Sequence, residues 1–288
     1  MSEPPHLEGV EHRWVDAGGV SLHVAEAGSG RPVVLVHGWP QHWWIWRRVV
    51  PLLAPNARLI MPDLRGFGWS EVPRKGYDKE QLATDLLALL DALGLERVAL
   101  VGHDWGGWAG WLLCARASER LEGFLALDIP HPFGPAELSP SMLARLLYQP
   151  VLGAPILGQA LIRRPGFVER LLRAGARRRE AFEAGDLRIY AERLREPARA
   201  RASSLLYRTF VTRELVPLVR GRYRDARFGI PVRALFGAQS PILPSDPVGS
   251  LRERAPRAEI EVVEDCGHFV PEEHPELVAA RARELFAL

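Results

Sequence analysis

The sequence predicts an α/β fold in which a mostly parallel eight-stranded sheet carries helices on both faces and receives a helical insertion. Three observations support this prediction. Short apolar runs typical of buried strands alternate with helical segments, and such alternation requires right-handed parallel connections. Residues 133 to about 228 show helical periodicity without a convincing strand. The strand pattern returns after this stretch, so we expect the sheet to continue there.

The strand and helix patterns can be placed along the chain in order. An antiparallel hairpin is predicted from 12–16 and 20–25, which alternate in polarity across a Gly-Gly pair. We predict the remaining strands at 32–36, 57–61, 97–101, 123–127, 231–236 and 259–263. We predict the core helices at 43–53, 77–93, 108–117, 245–255 and 273–286. This pattern divides the chain into a core of 8–130 and 230–288 and a helical lid of 131–229.

Composition limits the class of protein. With 288 residues the chain can hold one large domain with an insertion. Its 37 basic and 35 acidic residues give a net charge of +2, which predicts a small-molecule partner and no nucleic acid. Zinc-type Cys/His spacing and phosphate-binding loops are absent from the sequence, so we expect no metal and no cofactor. We expect a monomer or homodimer.

Compartment and membrane contact are predicted from other features. The sequence has two cysteines, no secretory signal pattern and no run of about 18 apolar residues. We therefore expect a cytoplasmic protein without stable membrane insertion. Residues 131–229 hold 19 Arg and 9 acidic residues, which we interpret as a solvated helix face, with binding to an anionic lipid surface as the alternative.

The strongest chemical motif is a Gly-x-Asp-x-Gly turn between a predicted strand and a predicted helix. It places Asp104 between Gly102 and Gly106. In such an elbow the central side chain stands on a strained corner at the carboxyl end of a parallel strand. A carboxylate there can displace a leaving group from saturated carbon and become an alkyl ester. The alternative is an aspartate that caps the following helix.

His268, in the loop after the last predicted strand, is the candidate base. Attack by a carboxylate needs no base, so this histidine would activate the water that hydrolyses the ester. A purely structural histidine is the alternative. An activating histidine needs an acid on its other nitrogen. The usual place, residues 237–241, has no carboxylate, so we predict Asp128 as the acid, with Asp246 or no acid as alternatives.

The segment His37-Gly38-Trp39-Pro40 follows the buried strand 32–36. A loop in this position can aim backbone N–H groups at a developing oxyanion, and a glycine permits the close approach. We therefore predict that this segment forms an oxyanion loop.

Taken together, the elbow, this loop, the stretch 63–70, the terminal histidine and the lid resemble the α/β-hydrolase epoxide hydrolases, and nearly as well the haloalkane dehalogenases. The resemblance covers the chain from about residue 10 to its end. It implies that the backbone amides of Trp39 and Trp105 are the oxyanion donors. An acid after the sixth strand is similar to some members of both families, including fluoroacetate dehalogenases.

The lid separates the two families. In epoxide hydrolases lid tyrosines donate a hydrogen bond to the epoxide oxygen, and Tyr207-Arg208 resembles one such segment. The second donor is not found at Leu143 or Ala144, where the resemblance places it, and Tyr148 is the possible substitute. Against a dehalogenase, the lid holds no tryptophan to bind halide, and Trp39 stands where many dehalogenases carry a polar residue.

The sequence therefore predicts a hydrolase that opens a small apolar epoxide to a diol through an ester on Asp104. A haloalkane dehalogenase with the same nucleophile is the first alternative. A non-catalytic ligand-binding protein of the same fold is the second. A carboxylesterase is disfavoured because no serine occupies the elbow.

Overall fold

A computed structural model describes residues 3–133, 147–244 and 251–288. Its strands form one eight-stranded sheet with the order β1-β2-β4-β3-β5-β6-β7-β8. The strands are β1 Val10–Asp16, β2 Ser21–Ala27, β3 Pro32–Val36, β4 Arg58–Pro62, β5 Val98–His103, β6 Leu121–Leu127, β7 Val232–Gly237 and β8 Ala258–Val263. β2 runs antiparallel to both β1 and β4, and the other neighbours are parallel. The predicted fold class is confirmed.

Helices surround the sheet and fill the interval between β6 and β7. In chain order they are α1 Val50–Leu53, α2 Lys79–Ala92, α3 Asp104–Arg116, α4 Tyr148–Gly153, α5 Leu157–Arg163, α6 Phe167–Gly175, α7 Ala184–Arg195, α8 Pro197–Thr209, α9 Leu215–Val219, α10 Leu251–Arg254, α11 Val270–Glu273 and α12 Pro275–Phe286. A π-helical segment, Phe210–Glu214, joins α8 to α9. We call residues 148–219, from α4 to α9, the helical insertion.

The central strands explain why their sequences read as short apolar runs. All six residues of β5 are buried, as are the last four of β3, because helices cover both faces of the sheet. Parallel pairing aligns Val36 with Gly102 and His103 with Leu127. The segments that follow β3, β5 and β6 therefore leave the sheet side by side at one edge.

Two predicted helices are each divided in the structure. The stretch predicted as one helix at 43–53 is a 3-10 turn, Trp43–Trp46, followed by α1. The last predicted helix is interrupted at His274, because a residue before proline disfavours the helical conformation. The helix predicted at 245–255 is observed as α10, and residues 245–250 lie outside the described residues.

Part of the arginine-rich stretch is buried rather than solvated, which departs from the predicted helix face. Arg193 donates to the carbonyl of Gly68 at 2.7 Å, and Arg199 donates to the carbonyl of Phe67 at 3.0 Å. Both side chains belong to the insertion and both acceptors to a core loop. These arginines therefore fasten the insertion to the core by charged hydrogen bonds.

A further buried group joins the insertion to the core. Arg47, in the loop after the Trp43–Trp46 turn, pairs with Asp186 of α7 and with Glu272 of α11. Tyr190 of α7 donates to Glu272 at 2.7 Å. The insertion is thus held at several separate points.

Candidate active site

Asp104 stands at the sharp turn between β5 and α3, with φ of 50°. Neighbouring glycines make room for this turn. A Cβ on Gly106 would lie 2.3 Å from the carbonyl oxygen of His37, and one on Gly38 would lie 2.3 Å from the Asp104 Cβ. The backbone therefore approaches the aspartate on both sides as the elbow motif predicts.

Two backbone amides hold the Asp104 carboxylate. Trp39 N donates to Oδ1 at 3.0 Å, and the Trp105 amide also hydrogen-bonds to the carboxylate. Oδ2 is left to face the histidine. The same pair of amides could stabilise negative charge on Oδ1 if this carboxyl carbon became tetrahedral.

His37 supports the backbone of the loop that carries Trp39. Its Nε2 accepts from Leu64 N at 3.0 Å, and its Nδ1 bonds to the Gly38 carbonyl at 2.9 Å. Burial lowers the pKa of His37, so the ring is neutral and supports the backbone. The Trp39-Pro40 peptide is cis.

His268 lies between two carboxylates. Its Nδ1 bonds to Asp128 Oδ2 at 2.6 Å, and its Nε2 lies 3.5 Å from Asp104 Oδ2. Asp128 follows β6 with φ of 47° and is fully buried. The fold thus brings together three residues that are far apart in the sequence.

The segment after β7 contributes donors in place of an acid. Gly237 N donates to Asp128 Oδ1 at 2.9 Å, and the Ser240 hydroxyl donates to Oδ2 at 2.6 Å. Two donors besides His268 therefore hold the buried carboxylate in one orientation. The other acid considered from the sequence, Asp246, lies outside the described residues.

The charges in this group support one another. Burial alone would lower the pKa of His268, but its hydrogen bonds to Asp104 and Asp128 and the charge of both carboxylates raise it to about 10. Burial would likewise raise the pKa of Asp104, but His268, His103 and the Trp105 amide hold it below its ordinary value. The resting site therefore contains an ionised Asp104 carboxylate beside an imidazolium.

His103, directly before the nucleophile, supports the loop that carries His268. Its Nε2 bonds to the His268 carbonyl at 2.9 Å, and the two rings are 4.8 Å apart. Burial and the nearby His268 lower the pKa of His103 to about 3, so it stays neutral. Because a carbonyl only accepts, Nε2 must carry the proton.

Two tyrosines of the helical insertion approach this group from the other side. Tyr207 on α8 is buried, and its ring lies 5.1 Å from that of Trp39 and 5.9 Å from that of Trp105. Tyr148, at the start of α4, hydrogen-bonds to Tyr207, and their rings are 5.7 Å apart. Burial, then the proximity of Tyr148 and Asp104, raises the Tyr207 pKa well above its ordinary value. Its hydroxyl therefore keeps a proton to donate.

Comparison with known proteins fits this geometry. A family described as the alpha/beta hydrolase fold matches residues 31–275. The chain belongs to the α/β-hydrolase family. This α/β hydrolase is 33% identical to the soluble epoxide hydrolase of Corynebacterium sp. (strain C12), over 96% of this chain and 98% of that protein. It is 28% identical to haloalkane dehalogenase 2 of Mycobacterium tuberculosis (strain ATCC 25618 / H37Rv), over 98% and 97% of the two chains.

Solved structures agree with the sequence comparison. The epoxide hydrolase CorEH without ligand superposes on this α/β hydrolase with a TM-score of 0.88 at 32% identity. The match covers 96% of this chain and 99% of that chain. The resemblance inferred from the motifs is confirmed, with epoxide hydrolases first and haloalkane dehalogenases next.

Sequence reasoning did not find several residues of this α/β hydrolase that support the site. The sequence carries no signal that Ser240 donates to Asp128, or that His103 supports the loop that carries His268. Glu273 likewise has no sequence signal. Lys79 is also fully buried, 4.4 Å from the centroid of the Trp105 ring, and pairs with Glu214 at 3.1 Å. The charge of Lys79 at the start of a helix gave no signal that it packs against the Trp105 ring.

Three further expectations concern the second lid donor, metal binding and membrane insertion. Leu143 and Ala144, where the second lid donor was sought, lie outside the described residues. Within residues 3–133, 147–244 and 251–288, no cluster of three or more His, Cys, Asp or Glu could hold a metal ion. In that same part of the chain, no helix combines the length and apolar character needed to cross a membrane.

Proposed function

We propose that this α/β hydrolase opens epoxides to diols in two steps. In the first, Asp104 Oδ2 attacks an epoxide carbon, the ring C–O bond breaks, and the oxygen leaves as an alkoxide that takes the Tyr207 proton. In the second, the loss of the Asp104 charge lowers the pKa of His268, so its Nε2 proton passes to solvent. The neutral Nε2 then takes a proton from water, and the resulting hydroxide adds to the ester carbonyl carbon. The acyl C–O bond then breaks, and the departing diol oxygen takes the proton from His268. The proton that remains on the Asp104 carboxyl group passes to the Tyr207 phenolate, which restores both groups.

One observation carries this proposal. A phenol that keeps its proton, Tyr207, lies against Trp39 and Trp105, whose amides hold the Asp104 carboxylate. A hydroxyl donor opposite a carboxylate nucleophile stabilises the charge that develops on the epoxide oxygen only in the transition state. Tyr148, bonded to Tyr207, is the second donor in this proposal.

The proposed roles extend to the rest of the site. Asp128 orients His268 and stabilises its imidazolium, and the Trp39 and Trp105 amides stabilise the tetrahedral oxyanion of the second step. Residues 131–229 form a lid over a core of 8–130 and 230–288, and the substrate is a small apolar epoxide. Both cysteines are buried and unpaired, which fits a cytoplasmic location.

A haloalkane dehalogenase is the second candidate, and one observation favours it. The indole Nε1 of Trp39 is buried without a hydrogen-bond partner among the described residues, while the Trp105 side chain hydrogen-bonds to Tyr207. Indole N–H groups beside the nucleophile could bind a departing halide ion. The ester on Asp104 and its hydrolysis would be unchanged.

Trapping the ester tests the mechanism and the leaving group together. The variant His268→Gln, mixed with an epoxide, should gain the full mass of the epoxide on Asp104, because no base is left to hydrolyse the ester. With a matched chloroalkane, a dehalogenase would instead gain the alkyl group and release chloride. The variant His6→Gln, which changes an exposed histidine, should turn over normally and is the control. Absence of any adduct with either substrate would refute the proposed nucleophile.

A further inference from the structure

The Glu273 carboxylate, at the end of α11, joins two segments that are far apart in the chain. It is 4% exposed and accepts four backbone N–H groups. The donors are Arg177 N at 2.8 Å, Arg178 N at 2.8 Å and Gly267 N at 3.0 Å to Oε2, and Phe269 N at 3.1 Å to Oε1. Two donors belong to the helical insertion, and two flank His268.

A direct backbone contact strengthens the same junction. His268 N donates to the Gly175 carbonyl at 2.8 Å. A Cβ on Gly267 would lie 2.4 Å from that carbonyl oxygen, and a Cβ on Gly175 would lie 2.8 Å from the Phe269 ring. Glycine at 267 therefore allows the two backbones to approach this closely, and glycine at 175 leaves room for the Phe269 ring. We call residues 175–178, residues 267–269 and Glu273 together the clasp.

The clasp controls the loop that carries the histidine. The backbone N–H groups of Gly267, His268 and Phe269 all donate to atoms of the clasp outside residues 267–269. The ring of Phe269 also packs against Phe182 of the insertion, with ring centroids 5.3 Å apart. The position of the His268 ring beside Asp104 therefore depends on the insertion as much as on the sheet.

We propose that Glu273 is a positioning residue, which ties the helical insertion to the His268 loop and so sets the rate of ester hydrolysis. This inference rests on the two-step reaction proposed above. In that reaction only the second step needs His268 to remove a proton from water.

The first step should be insensitive to the clasp. Asp104 is held by β5, by α3 and by the amides of Trp39 and Trp105, and none of these atoms bonds to Glu273. Tyr207 lies on α8, and its hydrogen-bond partners Tyr148 and Trp105 are not part of the clasp. A change at Glu273 should therefore slow ester hydrolysis without slowing ester formation. A general loss of structure would slow both steps.

The variant Glu273→Gln changes one side of the clasp. If the amide oxygen stays with the three donors on Oε2, the new NH2 group faces Phe269 N–H, so two donors oppose each other next to His268. In single-turnover mixing with an epoxide, ester decay should slow about tenfold, because small displacements of a catalytic group cost this much or more. Ester formation should change less than about twofold. The exposed Glu276→Gln is the matched control and should match the wild type in both steps.

Steady-state kinetics supply the readout that a structural defect cannot imitate. When ester decay limits turnover, slowing it lowers kcat and KM together and leaves kcat/KM unchanged. A loss of folded enzyme would instead lower kcat and kcat/KM equally and leave KM unchanged. Equal slowing of ester formation and decay, or an unchanged decay rate, would overturn the role of Glu273.

A second variant approaches the clasp from the insertion. Gly175→Ala places a methyl group 2.8 Å from the Phe269 ring and removes none of the hydrogen bonds to Glu273. It should also slow ester decay selectively, and normal decay would contradict the coupling. His268→Gln measured in parallel separates the two ideas. If His268→Gln traps no ester, the proposed function fails. If His268→Gln traps the ester but Glu273→Gln hydrolyses it at the normal rate, only the positioning role of Glu273 is refuted.

Discussion

Replacing Asp128 by Asn tests how much the buried acid contributes to the second half-reaction. The carboxylate accepts from His268 Nδ1 and Ser240 through Oδ2 and from Gly237 N through Oδ1. An asparagine side chain has one acceptor oxygen, so it can accept either from Gly237 N or from His268 and Ser240, but not from both sides. Either its NH2 group faces Gly237 N–H, or it faces the histidine.

The orientation in which the NH2 group faces His268 is the one that should slow ester hydrolysis. An NH2 group donating to Nδ1 leaves the proton of the neutral ring on Nε2, the nitrogen that must take a proton from water. A wrong tautomer of this kind costs about 10⁴-fold in the serine-protease triad, and we expect a similar loss in ester decay. That factor corresponds to about 5 kcal/mol of activation free energy. Ester formation, in which His268 removes no proton, should slow less than about fivefold.

The assay is rapid quenching after the enzyme is mixed with an epoxide. Intact mass follows the ester on Asp104, and chromatography follows the diol. Asp128→Asn should accumulate nearly stoichiometric ester. The exposed Asp91→Asn, which carries the same chemical change on α2, should behave as the wild type. If the Asp128 variant hydrolyses its ester at the normal rate, Asp128 does not orient the histidine, and the reasoning is refuted.

Two further predictions concern the leaving group and pH. Tyr207→Phe keeps the ring beside Trp39 but removes the hydroxyl. Single-turnover ester formation from an epoxide should therefore slow about 10²-fold. An unchanged rate would exclude Tyr207 as the donor to the epoxide oxygen. The two carboxylates outweigh burial and raise the pKa of His268 to about 10 in the free enzyme. Ester formation removes the charge of Asp104, so the pKa of His268 should fall, and ester decay measured from pH 5 to 10 should rise to a plateau with a midpoint below 10. A midpoint at or above 10 would contradict this linkage.

The sequence alone identified the fold and the centre of the site because both have local signals. A glycine-flanked aspartate between a strand and a helix requires a particular backbone turn, and the turn was observed at Asp104. The signals for the buried strands were equally local, since a short apolar run bounded by turn residues is typical of a strand covered on both faces. Of the two helix breaks that were missed, the one at His274 also had a local cause in Pro275.

Other relationships were visible only in the tertiary structure. Asp128 was predicted as the acid because residues 237–241 hold no carboxylate and because it follows the sixth strand, whose end lies near the ends of the other strands. Nothing in its neighbourhood showed that Gly237 and Ser240 would supply donors to it. The contacts of Glu273 have no sequence signature, since its partners are backbone N–H groups, which every residue except proline possesses. The sequence determined which groups can do chemistry, and the packing of the helical insertion on the sheet decided which groups hold them, because long-range contacts depend on topology and not on local pattern.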